Sequence, residues 1–145
     1  MKTEQLYKAQ EFAMTKHVGQ LDDEGKDYFE AHLLPVQKAV QIFTDDVEVI
    51  MASVLHDTIE DTDTTYDELK SEFGKRVADL VYEVTHEVRE DTGGHYFPRL
   101  KSQEAILIKL CDRASNVSRM DGWNEKLKKH YLNRTKFWRG SEYVE

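Results

Sequence analysis

With Cys111 as its one cysteine, the sequence cannot close an internal disulfide, and a reducing cytoplasm is the simplest home for such a chain. It has no apolar run near the roughly 20 residues that cross a bilayer as a helix. Its first residues, MKTEQLYKAQ, lack the apolar stretch of a signal peptide. Positive charge is also scarce: 20 lysines and arginines stand against 28 aspartates and glutamates, a net charge of −8. That argues against general nucleic-acid binding, because duplex affinity comes mainly from neutralising phosphates. A small phosphorylated substrate is still allowed, since a bound metal can reverse the field locally. Two prolines and seven glycines are few helix breakers for 145 residues, a length that suits one domain with a real core.

Apolar residues recur mostly at three- and four-residue spacing, the period of a helix. The pattern predicts an all-α fold, one domain over residues 1–145. A first helix covers 2–18 and ends at Gly19; a second carries His32, Val36, Ala39, Val40 and Phe43. A third covers 47–59, capped by Asp45 or Asp46, and a short one, YDELKSEF, is capped by Thr64 or Thr65. After Gly74 comes KRVADLVYEVTHEV, then a long helix from Pro98 through RLKSQEAILIKLCDRASNV, and an amphipathic helix over 124–138. QLDDEGKD and EDTGGHY read as loops. There is no strand pattern longer than YVE, no internal repeat and no low-complexity segment.

The chemistry concentrates in LHDTIEDT, residues 55–62. His56 and Asp57 directly follow an apolar helix, and Glu60 and Asp61 come one turn later. On a continuous helix His56 would share a side with Glu60, and Asp57 with Asp61. A His-Asp pair supplies two ligands, so a metal would need partners from elsewhere. His32 and Asp112 are the candidates. Asp112 interrupts the strongest apolar run, AILIKLC, where an unpaired carboxylate would be costly. Two imidazoles with two carboxylates suit manganese, iron or zinc better than calcium or a thiolate-bound metal. Taken alone, a His-Asp dipeptide is more often a surface feature or a paired helix end. Cys111 reads as a small core hydrophobe. His17, His86, His95 and His130 read as structural or exposed, and Asp63, Asp67, Glu68 and Glu72 as a solvated face. Phe12, Phe73, Trp123 and Trp138 read as core aromatics.

Together, His32, His56-Asp57 and Asp112 make an H…HD…D series that resembles the HD-domain metal phosphohydrolases. Within them, the chain is similar to the hydrolase domain of the RelA/SpoT homologues and their free-standing small alarmone hydrolases. The stretches that carry the likeness are HVGQ (17–20), LHDTIEDT (55–62), FGKRVADLVYEVT (73–85) and IKLCDRASN (108–116). The resemblance implies an HD-type helical bundle that uses manganese to remove the 3′-pyrophosphate of (p)ppGpp, leaving GDP or GTP and pyrophosphate. It places the metal on His32, His56, Asp57 and Asp112 and the proton-handling acids on Glu60 and Asp61. It also places a nucleotide contact on Asn116, i+4 from Asp112. Arg113 is a phosphate contact or a structural ion-pair partner. A metal so held would polarise the 3′-linked phosphate and lower the pKa of a bound water, which Glu60 and Asp61 would orient and deprotonate.

The chain also departs from that family. Where the family carries an arginine and often a lysine against the guanine base, this sequence has Asp22 and Asp23. The interval from Gln20 to His32 is one residue longer than in the family. The family arginine after the asparagine falls on Ser118, with Arg119 displaced by one. These differences predict weaker base discrimination and leave open ppApp, NADPH or a nucleoside monophosphate as substrate. A degenerate HD module that binds a nucleotide without turnover is a third reading, against which the intact Glu60-Asp61 pair speaks. The partner expected in each case is a small phosphorylated nucleotide, with no nucleic acid and no membrane.

Overall fold

Helix α3 (Val47–Leu55) is apolar but for Glu48 and Ser53, and all of Val49 to Leu55 are buried. In this computed structural model, which describes residues 2–88, 96–118, 125, 126, 129 and 132, the other long helices pack around it. α1 (Lys2–Lys16) lies against α3 through Ala9 and Ala13, both fully buried; two alanines at i and i+4 let the backbones approach closely. α2 (Leu34–Phe43), α6 (Lys75–Val84) and α7 (Gln103–Ser118) close the remaining sides. Each contributes an apolar stripe: Val36 and Val40, then Val77, Leu80, Val81 and Val84, then Ala105 and Ile108.

Local signals set most boundaries. The Asp46 carboxylate accepts from Glu48 N at the start of α3, and Thr65 Oγ1 accepts from Glu68 N at the start of α5 (Tyr66–Phe73). Gly74, at φ +96°, turns the chain from α5 into α6 with a backbone that disfavours a side chain. Ser102 Oγ accepts from Ala105 N at the start of α7, while Glu83 on α6 accepts from the amides of Lys101 and Ser102.

Three differences from the sequence reading matter. The helix predicted over 47–59 breaks at His56-Asp57, and a separate turn, α4 (Thr58–Asp61), follows. The reason lies in the side chains: His56 Nδ1 donates to Ser53 O at 2.6 Å, and Thr58 Oγ1 donates to Leu55 O at 2.8 Å. Both carbonyls belong to the last turn of α3, where such local bonds compete with the helical ladder. Asp57 is left at φ −98°, ψ 0°, outside the helical well. The alignment of His56 with Glu60 and of Asp57 with Asp61, expected for one continuous helix, therefore does not apply.

Second, α6 stops at Val84 instead of running to residue 88. Thr85 turns extended (φ −72°, ψ 121°) and its hydroxyl takes the Val81 carbonyl. A two-stranded antiparallel hairpin follows, β1 (His86–Val88) with β2 (Tyr96–Pro98), and the long helix begins at Gln103 and not at Pro98. The loop between the strands lies outside the described residues.

Third, the chain enters α2 through a π-helical turn, Phe29–Leu33, which contains His32. A π turn holds one residue more than an α turn and recurs at functional sites. The extra residue noted between Gln20 and His32 falls in the segment that contains this wider turn. Of the last helix predicted, over 124–138, the described residues 125, 126, 129 and 132 are helical; Trp123 and Trp138 lie outside the described residues.

Candidate metal centre

Four side chains from three parts of the chain meet in the middle of this bundle. His32 comes from the π turn, His56 and Asp57 from the break between α3 and α4, and Asp112 from the buried face of α7. One ligand atom from each lies within 4.8 Å of all the others, and all four residues are buried. His32 Nε2 is 2.9 Å from Asp112 Oδ1, 3.5 Å from Asp57 Oδ2 and 3.3 Å from His56 Nε2. His56 Nε2 is 3.1 Å from Asp57 Oδ2 and 3.2 Å from Asp112 Oδ1. Donors bound at about 2.0–2.3 Å to one first-row ion are themselves about 3–4 Å apart, so the spacing fits.

The proton count also fits. A carbonyl only accepts, so the bond from His56 Nδ1 to Ser53 O puts the proton on Nδ1 and leaves a lone pair on Nε2. That lone pair faces two carboxylate oxygens and a second imidazole nitrogen. Such a set of acceptors repels itself unless a proton or a cation sits between them. His32 Nδ1 is tied to Ser115 Oγ at 3.0 Å, which turns its Nε2 inward. Hydrogen bonds to the outer nitrogen of this kind orient metal-binding imidazoles.

The electrostatics agree. Burial alone would raise the Asp112 carboxyl, but Lys109 at 3.2 Å, with His56 and His32, holds it well below the usual carboxylate range. Asp57 is likewise held low against burial by the two imidazoles. Burial disfavours charge on His56 and His32 too, yet the two carboxylates raise both imidazoles above their ordinary value. The centre attracts positive charge.

The model of the HD domain family matches residues 9–105, well over half of the chain, and spans three of the four clustered residues. The chain belongs to the HD-domain family. Among its relatives is the guanosine-3′,5′-bis(diphosphate) 3′-pyrophosphohydrolase of Aquifex aeolicus, 36% identical over 91% of this chain and 20% of that protein. The proteins of that description called MESH1 are 37% identical in Danio rerio, over 83% of this chain and 74% of theirs. In Homo sapiens the figures are 34%, 88% and 79%. A solved structure described as a metazoan ortholog of SpoT that hydrolyzes ppGpp aligns with a TM-score of 0.73 at 25% identity, over 92% of this chain and 82% of that one. This HD domain thus spans about a fifth of the Aquifex protein and about three quarters of the vertebrate ones.

The other residues singled out in the sequence fall at different distances from the cluster. Asp61, on α4, sits at the rim and accepts from Gln20 Nε2 at 3.1 Å. Partial desolvation, then the negative charges of Asp57 and Glu60, push its carboxyl above the usual range. Glu60 is half-buried beside it and acts electrostatically on Lys109. Asn116 Nδ2 reaches Asp112 Oδ1 at 3.4 Å, one turn along α7. Arg113 donates to the carbonyl of Leu132 at 3.5 Å. Arg119 lies outside the described residues.

Asp22, which stands where the family carries a base-contacting cation, faces its own loop. Its carboxylate accepts from Glu24 N at 2.9 Å and Lys26 N at 2.8 Å, and the residue is 9% exposed. Asp23 is exposed.

Two contributors to this HD domain's centre escaped the sequence reading. Tyr28 Oη donates to Asp57 Oδ2 at 2.6 Å from the start of the π turn. Lys109 sits i−3 from Asp112 and pairs with its second oxygen. The helical offset of Lys109 was a usable signal. Tyr28 had none, because its bond to Asp57 spans 29 residues.

Proposed function

We propose that this chain is a metal-dependent phosphohydrolase that removes the 3′-pyrophosphate from guanosine-3′,5′-bis(diphosphate). The observation that carries the reading is the buried His32, His56, Asp57 and Asp112 cluster, in a chain whose relatives bear that activity in their names. In this reading residues 1–145 are a single domain, and His32 Nε2, His56 Nε2, Asp57 Oδ2 and Asp112 Oδ1 hold one divalent cation, manganese as the family resemblance implies, an ion this mixed N/O set suits along with iron and zinc. A cation there supplies Lewis-acid chemistry to the 3′-linked phosphate.

The chain's own residues do the rest. Asp61, held above the ordinary carboxylate range, accepts the proton of the attacking water. Glu60, beside it, orients that water. The new P–O bond forms as the bond to the ribose 3′-oxygen breaks, and that oxygen leaves with a proton. Pyrophosphate and GDP are the products from ppGpp, with GTP from pppGpp. Asn116 can donate to the sugar or phosphate, and Lys109 offsets the negative charge of Asp112, Glu60 and Asp57.

A second reading, in which another nucleotide is the main substrate, draws on Asp22 and Asp23: neither supplies a cation to stack on guanine. One experiment separates the two. With added manganese, ppGpp, pppGpp, ppApp, NADPH and nucleoside monophosphates are incubated with the chain and the products resolved by chromatography. The proposal expects GDP and pyrophosphate from ppGpp. Exclusive turnover of another substrate, or none at all, overturns it. His56→Ala should lose both bound manganese and turnover. Glu60→Gln and Asp61→Asn should keep the metal and lose about 10²–10⁴-fold in kcat.

A further inference from the structure

His17 follows α1 directly and is buried, 3% exposed, yet its Nε2 has no hydrogen-bond partner among the described residues. A histidine placed only for packing would not ordinarily leave a buried polar atom unsatisfied. Its other nitrogen is engaged: Nδ1 lies 2.7 Å from Gln20 Oε1, and Gln20 Nε2 in turn donates to Asp61 Oδ2 at 3.1 Å.

The order of donors in this row is forced. An ionised carboxylate only accepts, so the Gln20 amide turns its NH2 towards Asp61. That turns Oε1 towards His17, and His17 must carry its proton on Nδ1. The backbone fixes its first two members, His17 and Gln20. Gln20 N donates to His17 O at 2.9 Å, Gln20 O accepts from Tyr28 N at 3.0 Å, and Gly19 at φ +84° makes the tight turn between them. The His17 ring also lies against Tyr28, with centroids 5.6 Å apart.

We propose that His17 and Gln20 are positioning residues for Asp61, a hydrogen-bonded row that holds its Oδ2 and leaves Oδ1 free to meet the attacking water. The proposal rests on the reading of Asp61 as proton acceptor given above. It has a physical need: Asp61 ends a four-residue helix at the rim, where its side chain is exposed and where, among the described residues, the Gln20 amide is its side-chain hydrogen-bond partner.

The test uses the full chain with manganese and ppGpp, measuring kcat, KM and bound metal. Gln20→Leu should lower kcat by about tenfold, the size of one hydrogen bond to a charged acceptor at a solvated rim, with KM and bound manganese little changed. Introduced into Asp61→Asn, the same change should have almost no further effect, because the group it positions no longer takes the proton. At position 17, asparagine places an amide nitrogen where Nδ1 was, whereas glutamine places it near Nε2. His17→Asn should therefore retain most of the kcat that His17→Gln loses. Should the buried His17 variants misfold, the Gln20 and Asp61 pair still decides the question. Losses that add in the double variant overturn the coupling while leaving the proposed activity intact. An Asp61→Asn variant with undiminished kcat overturns the role of Asp61 and this proposal with it.

Discussion

Replacing Tyr28 by phenylalanine removes one oxygen from beside the candidate metal centre and little else. The hydroxyl donates to Asp57 Oδ2 at 2.6 Å, and that same oxygen faces His32 and His56. The ring itself is held between His17 and His32, with centroids 5.6 and 5.2 Å away, so phenylalanine should keep its place. A hydrogen bond to a charged acceptor contributes about 1.5–3 kcal/mol, which corresponds to about 10- to 100-fold in a dissociation constant. Loss of an outer partner of a metal-binding side chain typically costs about 10–100-fold in affinity, an independent route to the same range. Asp57 is 8% exposed, so water can replace part of the lost bond, and the lower end, about tenfold, is expected. Burial, then the charge of Asp57, pushes the phenol far above its ordinary pKa, so it remains a donor throughout and the loss should not depend on pH. Manganese titration by calorimetry measures Kd directly, and kcat at saturating manganese should stay near the parent value. A Tyr28→Phe chain that binds manganese as tightly as the parent, or more tightly, would refute the reasoning.

Lys109→Met breaks a buried pair, with side-chain exposures of 13% and 9%; losing one partner costs about 3–5 kcal/mol, or about 10–16 °C in Tm. Manganese should recover part of that by compensating Asp112, and a thermal shift unaltered by the metal would count against the pairing. Asp22→Asn should leave KM for ppGpp nearly unchanged, because the carboxylate points into its own loop; a large fall in KM would mean that its charge faces the substrate. The Asp46 carboxyl is lowered below 3.8: burial opposes this, and Arg76 outweighs it. Its ion pair therefore adds stability above that pH and loses it as the pH falls through the folded-state value. Asp46→Asn keeps the cap on α3, so its deficit in urea unfolding should be under about 1 kcal/mol near neutrality and close in acid. A deficit that persists at low pH would assign it to the cap instead.

The helices and the residues of the cluster were legible because they rest on short-range or compositional signals. Apolar spacing marks α1, α3 and α7. Asp112 stands out in an apolar run, and His56-Asp57 ends another. The caps Asp46 and Thr65 and the glycine at 74 act within a turn of the boundaries they set. What the tertiary structure decided depends on partners distant in sequence or on side chains competing with the backbone. The break at His56-Asp57 follows from side-chain bonds to Ser53 O and Leu55 O, which helical periodicity does not encode. The hairpin of β1 and β2 interrupts a stretch whose pattern reads as helix, because Thr85 diverts the chain and pairing supplies the bonds. Tyr28 gains its bearing on the centre across 29 residues, and His17 gains its own across Gln20 to Asp61. Residue types and local periods are written along the chain, whereas which hydrogen bonds close across the bundle depends on how the helices pack.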